Sequence, residues 1–426
     1  MIKTSRKRNL LFFFLFININ IAFGSYILVP MDEEQTNHLK SYGFTYWVLN
    51  KDQEAHWLLN YRGGSFMYKY TQTFENELII RGIKYQVISD AQSNNILAEI
   101  AAPDANMDAM KLEKPPKIAV YSPKTKQPWD DAVTMVLAYA EIPYTVIFDE
   151  EIMKGELPKY DWLHLHHEDF TGQYGKFYAG YHTQAWYQKE VQEAEEMAKK
   201  FGITKVSNLK LQVAKKIKEF VLGGGFLFAM CAATDTYDIA LAAENTDICE
   251  SIYDGDPADP TAVRKLIFGN TFAFKDFSLI QDPYAYEYSN IDSRPNIMPK
   301  IVDEKNDYFN LFQFSAKWDP VPTMLTQNHE SQIKGFMGQT TAFRKSLIKS
   351  DVLLLGENKA QNEARYIHGT LGKGFWTFYG GHDPEDYEHY VHEEPTDLNL
   401  HPNSPGFRLI LNNILFPAAK KKKQKT

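Results

Sequence analysis

Cysteine is almost missing from this chain: Cys231 and Cys249 are the only two in 426 residues. One disulfide is the most they can form, and no CxxC or HExxH spacing marks a ready-made zinc site. Basic charge is also scarce. With 46 Lys and Arg against 54 Asp and Glu, the formal charge is -8, which argues against a nucleic-acid partner. The single basic block is the tail at 419–426, read as a solvated end. Beyond the first two dozen residues no apolar run is long enough to span a bilayer, and internal repeats are absent. What remains is an ordinary globular composition. At 44% hydrophobic and 14% aromatic, it can bury large cores, and its length suggests two or three domains.

The first residues have a processing pattern. Lys3, Arg6, Lys7 and Arg8 precede the apolar stretch 10–23, with Ala22 and Gly24 at small-residue positions. This reads as a secretory signal over 1–24, cut after Gly24. An uncleaved anchor is the alternative, and it would be the chain's one contact with a membrane. Either way the protein is expected to be exported, to a periplasm or a cell surface. An oxidising compartment would permit a Cys231–Cys249 disulfide.

Residues 25–100 read as a small α+β domain. Asp32 and Gln35 have capping-box spacing for a helix start. Gly63-Gly64 between two apolar runs signals a hairpin, although Arg62, the glycines and Ser65 could also cradle an anion. The Pro- and Ala-rich stretch 101–117 reads as a linker. From 118 to 418 short β-branched and aromatic runs alternate with amphipathic helices, the pattern of a doubly wound, mostly parallel α/β sheet. The stretch 250–350 interrupts it as an insertion with short strands near one sheet edge.

Three expected strand ends carry reactive side chains, and ligands of open parallel sheets bind at such ends. One ends in His164, His166, His167, Glu168 and Asp169; the next at Cys231; the last in His382, Asp383, Glu385, Asp386 and His389. Cys231, with Ala229 and Ala233 two residues either side, suits a nucleophile on a sharp strand-to-helix turn. There a helix N-terminus would lower the thiol pKa and offer an oxyanion site. His382 could take the proton and Glu385 orient the imidazole. A lone cysteine can equally be a small buried group closing a turn.

The segments LGGGFLFAMCAATD and GKGFWTFYGGHDPEDY resemble the class I glutamine amidotransferase-like superfamily, in particular its trehalose-utilisation-like branch. The resemblance implies a flavodoxin-like sheet and Cys231 and His382 as catalytic candidates. The chain has Ala-Met-Cys-Ala-Ala where that family usually has Gly-x-Cys-x-Gly, and His-Asp-Pro-Glu where it has His-x-Glu. With LLNYRGGSF, WLHLHHEDFTGQYGKF and SPGFRLILNNILFP, the whole chain also resembles an exported bacterial family often labelled asparagine synthetase B. The residues exclude that activity. Residue 2 is Ile, where the synthetase needs an N-terminal cysteine, and no Ser-Gly-Gly-x-Asp-Ser loop is present to hold ATP.

Three functions fit these residues. The first is hydrolysis of an amide or related bond by Cys231, His382 and Glu385. The second is a metal-dependent hydrolase in which His166, His167, Glu168 and His382 hold a divalent ion such as zinc, since a catalytic site takes three N or O ligands and a water. The third is a non-catalytic exported scaffold or carbohydrate binder, for which 25 Tyr, 28 Phe and 7 Trp supply flat faces. Arg62, Asp169, Asp383 and Asp386 complete the candidate binding residues for a small molecule or sugar.

Overall fold

The computed structural model describes residues 25–123, 131–293, 300–301, 307–327, 330–335, 338–389 and 394–419. The expected signal segment and the basic tail past Ala419 lie outside the described residues.

The N-terminal unit runs β1 (Tyr26–Val29), α1 (His38–Leu49), β2 (Ala55–Leu59), β3 (Ser65–Lys69), α2 (Gln72–Arg81), β4 (Gln86–Ile88), α3 (Asp90–Ala101) and β5 (Asp108–Leu112). Its sheet has the order β4-β1-β3-β2-β5, antiparallel at every pairing. The first six elements form the split βαβ arrangement common to βαββαβ units. The expected hairpin is present, with Leu58 opposite Ser65. Gly63 is required there: its φ is +75°, and a Cβ would lie 2.2 Å from the Met31 carbonyl oxygen.

Two expectations in this unit are corrected. The helix does not start at Asp32. Asn37 caps it by accepting from the Lys40 amide, because Gln35 is buried and its side-chain amide is committed to the Pro30 and Lys84 carbonyls. The stretch 101–117 is not wholly a linker either. Residues 108–112 form the edge strand β5, whose Met110 and Leu112 turn inward. Its composition is poor for a strand, and the alternation of two inward residues against β2 outweighs propensity.

The second unit continues through β6 (Ile118–Tyr121), α4 (Ala132–Tyr139), β7 (Thr145–Ile147), α5 (Asp149–Met153), β8 (Trp162–Leu165), the single turn α6 (Tyr178–Tyr181), α7 (Ala185–Lys200), α8 (Val206–Gly223), β9 (Phe226–Met230) and α9 (Ala233–Ala242). The expected insertion follows, with short α10 (Ser251–Asp254) and α11 (Ala262–Lys265), then β10 (Lys300–Ile301), β11 (Tyr308–Leu311), β12 (Gln332–Lys334) and β13 (Phe343–Arg344). The chain closes through β14 (Leu353–Asn358), β15 (Glu363–Leu371), β16 (Gly374–Tyr379), β17 (Glu388–His389) and α12 (Pro405–Leu415).

This unit is mixed α/β rather than mostly parallel. Strands β7-β6-β8-β9-β16 are parallel, and β15-β14-β11-β12 extend the same sheet as antiparallel neighbours. The insertion supplies β11 and β12 at that end. Both faces of the parallel part are covered, as its continuous apolar strands require. Val120, Trp162, Phe228 and Met230 pack with α4, α12 and the N-terminal unit, while Ala119, Leu163, Leu227 and Ala229 pack with α8 and α9. The N-terminal unit is therefore welded on rather than tethered. Buried Arg408 of α12 donates to the Gly63 and Met31 carbonyls and to Tyr42. Among the described residues no helix is long and apolar enough to cross a membrane.

Candidate functional site

Four adjacent strands of the parallel sheet, β6, β8, β9 and β16, deliver side chains to one rim. Strand order reverses between β6 and β8, which leaves a crevice at their carboxyl ends. After β8 the chain places His166 and His167. After β16, Gly380-Gly381 leads to His382. Ring centroids of His166 and His382 are 4.4 Å apart, and His167 lies 5.2 Å from His166 and 6.1 Å from His382. Each of the three imidazoles offers one nitrogen, and these nitrogens fall within 4.8 Å of one another.

Asp131, which the sequence reading missed, stands behind this group. Its Oδ1 caps α4 by accepting from the Val133 and Thr134 amides. The same oxygen is 3.3 Å from His166 Nδ1, and Oδ2 is 3.1 Å from His164 Nε2. His164 Nδ1 lies 3.2 Å from the Phe228 carbonyl oxygen. Burial alone would raise the Asp131 carboxyl, but the two imidazoles against it hold it well below the usual carboxylate range. Burial lowers His166 to about 4, so its ring is neutral near pH 7. With Nδ1 turned to Asp131, Nε2 is left for a ligand, the carboxylate–histidine arrangement that orients metal-bound imidazoles. The signal for Asp131 was readable as an aspartate opening an apolar helix. Its role was not, because only folding brings it to β8.

Cys231 is at the end of β9 with φ of +48°, a left-handed conformation that is strained for a non-glycine residue. Its amide donates to the Gly381 carbonyl, and the Gln339 amide approaches its Sγ at 3.3 Å. Gly338 fits between this sulfur and His382: a Cβ there would be 2.9 Å from His382 Cβ and 3.3 Å from Sγ. Cys231 and His382 are each only 1% exposed. Neither cysteine is in a disulfide, so the Cys231–Cys249 bond that an oxidising compartment would permit does not form. Cys249 lies elsewhere, its thiol on the Thr171 carbonyl; burial first, then neighbouring carboxylates, push that thiol well above its ordinary pKa. The nearby Asp247 and Asp254 hold the Lys205 ammonium.

Several predicted site residues have structural duties instead. Glu385 does not orient His382. It accepts from Ser404 Oγ at 2.6 Å and faces His401, because the Pro384 turn carries it away; Asp383 Oδ2, 3.5 Å from His382 Nδ1, is the nearer acid. Glu168 is not in the metal-ligand group. Its carboxyl turns back to the His166 amide at 2.9 Å, and burial pushes it up to about 8. Asp169 accepts from Thr171, Gln173 and Gly175 amides and so holds the loop after β8. Arg62 holds no anion cradle open, since its guanidinium is paired with Asp32 and Glu34 at 2.6 and 2.7 Å. Asp386 is half-buried, with its backbone against Gly335. His389 lies in β17, paired with Lys300.

A cavity of about 350 Å3 opens beside the histidines, with His167 and Glu168 on its wall together with Phe148, Tyr174, Phe177 and Lys210. That volume suits a small molecule. Lys210 is buried in a network with Asp149 and Tyr121.

No protein-family model and no curated protein matches this chain. Among solved structures, a cytoplasmic protein of Salmonella typhimurium is similar at 10% identity over 72% of this chain and all of that one, with a TM-score of 0.33. A second cytoplasmic protein, from Salmonella typhimurium LT2, gives 10% identity, 71% and 100% coverage and a TM-score of 0.34. A β-galactosidase of Bacillus circulans gives 11% identity over 63% of this chain and 29% of its own length, with a TM-score of 0.25.

Proposed function

We propose that this chain is an exported hydrolase of flavodoxin-like, class I amidotransferase-like fold, which holds a divalent metal at its sheet rim and cleaves an amide or related bond. The parallel strand order β7-β6-β8-β9-β16 is 2-1-3-4-5 in order of appearance, which supports the fold reading. The observation that carries the function is the convergence of His166, His167 and His382 with Asp131 behind them. These three imidazoles are the ligands, and Asp131 fixes the ring of His166. Zinc bound there would supply Lewis acidity and a water of lowered pKa. The adjoining cavity receives the substrate. Full-length protein purified without chelators is expected to retain, or to take up on titration, one zinc or cobalt ion per chain, read by elemental analysis. No retained metal and no uptake would overturn this reading.

A second reading rests on the backbone at Cys231. A strained turn with the Gln339 amide on the sulfur favours a nucleophilic thiolate beside His382. It predicts one fast-reacting thiol in metal-free native protein and its loss in Cys231→Ser, because burial and neighbouring carboxylates hold the Cys249 thiol well above its ordinary pKa. Two slow thiols would sink it and leave Cys231 as a small residue in a tight turn. The third reading, a carbohydrate binder or scaffold without turnover, predicts no metal and ligand binding that survives His382→Ala.

A further inference from the structure

Resting on the metal-site reading, we propose that the cavity beside His167 is the substrate chamber and that it selects a small cationic molecule, an organic ammonium or guanidinium with an apolar body. His167 joins the two features: it is the partly exposed member of the histidine group and also part of the cavity wall. A molecule in the cavity therefore meets the rim at this imidazole.

The wall decides the charge. Its two lysines are already engaged: Lys200 pairs with Glu150 at 2.8 Å and Lys210 with Asp149 at 2.9 Å. Glu190 of α7 lines the same wall, and among the described residues the cation acting on it is the Lys210 that Asp149 already holds. The wall thus sets Glu190, with Glu151, Glu193 and Glu196 beside it, against two lysines that other carboxylates already hold, an excess of acid that attracts a cation and repels phosphate or carboxylate groups. The faces of Tyr174 and Phe177 give the rest of the wall an apolar, π-rich character suited to the body of an ammonium ligand. Burial pushes the Glu190 carboxyl up to about 7, so its charge is fully developed only somewhat above neutrality.

The test uses three probes of one shape, 2-phenylethylammonium, 2-phenylethanol and 3-phenylpropanoate, titrated calorimetrically into full-length protein at about pH 8. The ammonium is expected to bind about tenfold or more tighter than the alcohol, with no measurable binding of the carboxylate. In Glu190→Gln the preference for the ammonium over the alcohol should shrink by about threefold or more, with cobalt binding at the histidines unchanged. Equal binding of ammonium and alcohol, preference for the carboxylate, or no binding of any probe to the wild type would overturn the proposal. The two failures are separable. Cobalt uptake without ammonium preference removes this inference alone, whereas ammonium preference without cobalt uptake removes the metal reading.

Discussion

The Arg62 hairpin and the histidine rim looked alike in sequence: polar, titratable groups beside glycines at a turn between strands. The fold separates them. At the hairpin the chain supplies every partner, with Asp32 and Glu34 on the guanidinium, and the glycines serve a close approach of backbones. At the rim two carboxylates, Asp131 and Asp383, stand against a gathering of imidazoles, and a cavity lies beside them. A charged group answered by its own chain is holding the structure together. Imidazoles crowded on one another beside a cavity have chemistry left to offer.

That contrast can be broken most severely at the rim. His166→Ala should weaken cobalt or zinc binding by more than about a hundredfold, measured by competition with a chelator. An unchanged affinity would reduce the rim to another structural network. Asp131→Asn is gentler: the amide still caps α4 but no longer accepts as an anion from His166. Metal affinity should fall by about ten- to a hundredfold with little change in stability. A large loss of stability without any change in metal affinity would reassign Asp131 to a purely structural pairing with His164 and His166.

Acid response sharpens the comparison next. His38, in the N-terminal unit near the Arg62 hairpin, is lowered to about 3, chiefly by burial and secondly by Arg408. The unfolded chain takes up this proton near pH 6.5 and the folded one does not, so stability falls as pH drops from about 6.5 toward 3, by at most about 1.4 kcal/mol per pH unit. His38→Gln should remove that part of the slope in urea unfolding at pH 7 and pH 5, with metal binding at pH 7 unaffected. An unchanged slope would show that His38 is protonated in the native state. The smallest effect belongs to Arg62→Met, expected to cost about 1 kcal/mol or less, since this pair is partly exposed. It should alter neither metal nor ammonium binding. Any loss of ligand binding there would revive the hairpin as a site.

The legible parts of this protein were those written in local periodicity. The apolar runs at 118–121, 162–165 and 226–230 became parallel strands, and helix Val206–Gly223 stops at its glycines. The gathering of reactive groups at strand ends was legible too, because sheet topology sends carboxyl ends to one rim. Glu385 was misassigned because spacing along a loop does not reveal which way Pro384 turns it. Glu168 was read as a metal ligand because a carboxylate turned to an amide of its own loop looks the same in sequence as one held ready for an ion; with Asp169 it lines the cavity instead. Strand β5 hid inside a stretch with weak strand propensity.

By itself the sequence determined the alternation of elements, the covered sheet and the identity of the residues at its rim, since hydrophobic period and turn residues act over a few positions. Only the tertiary structure decided which rim groups meet. The approach of Asp131 to His164 and His166, of Gly338 to Cys231 and His382, and of Glu190 to the cavity all join residues dozens to more than a hundred positions apart. Such contacts are set by how strands pair and helices pack, and no local pattern encodes them.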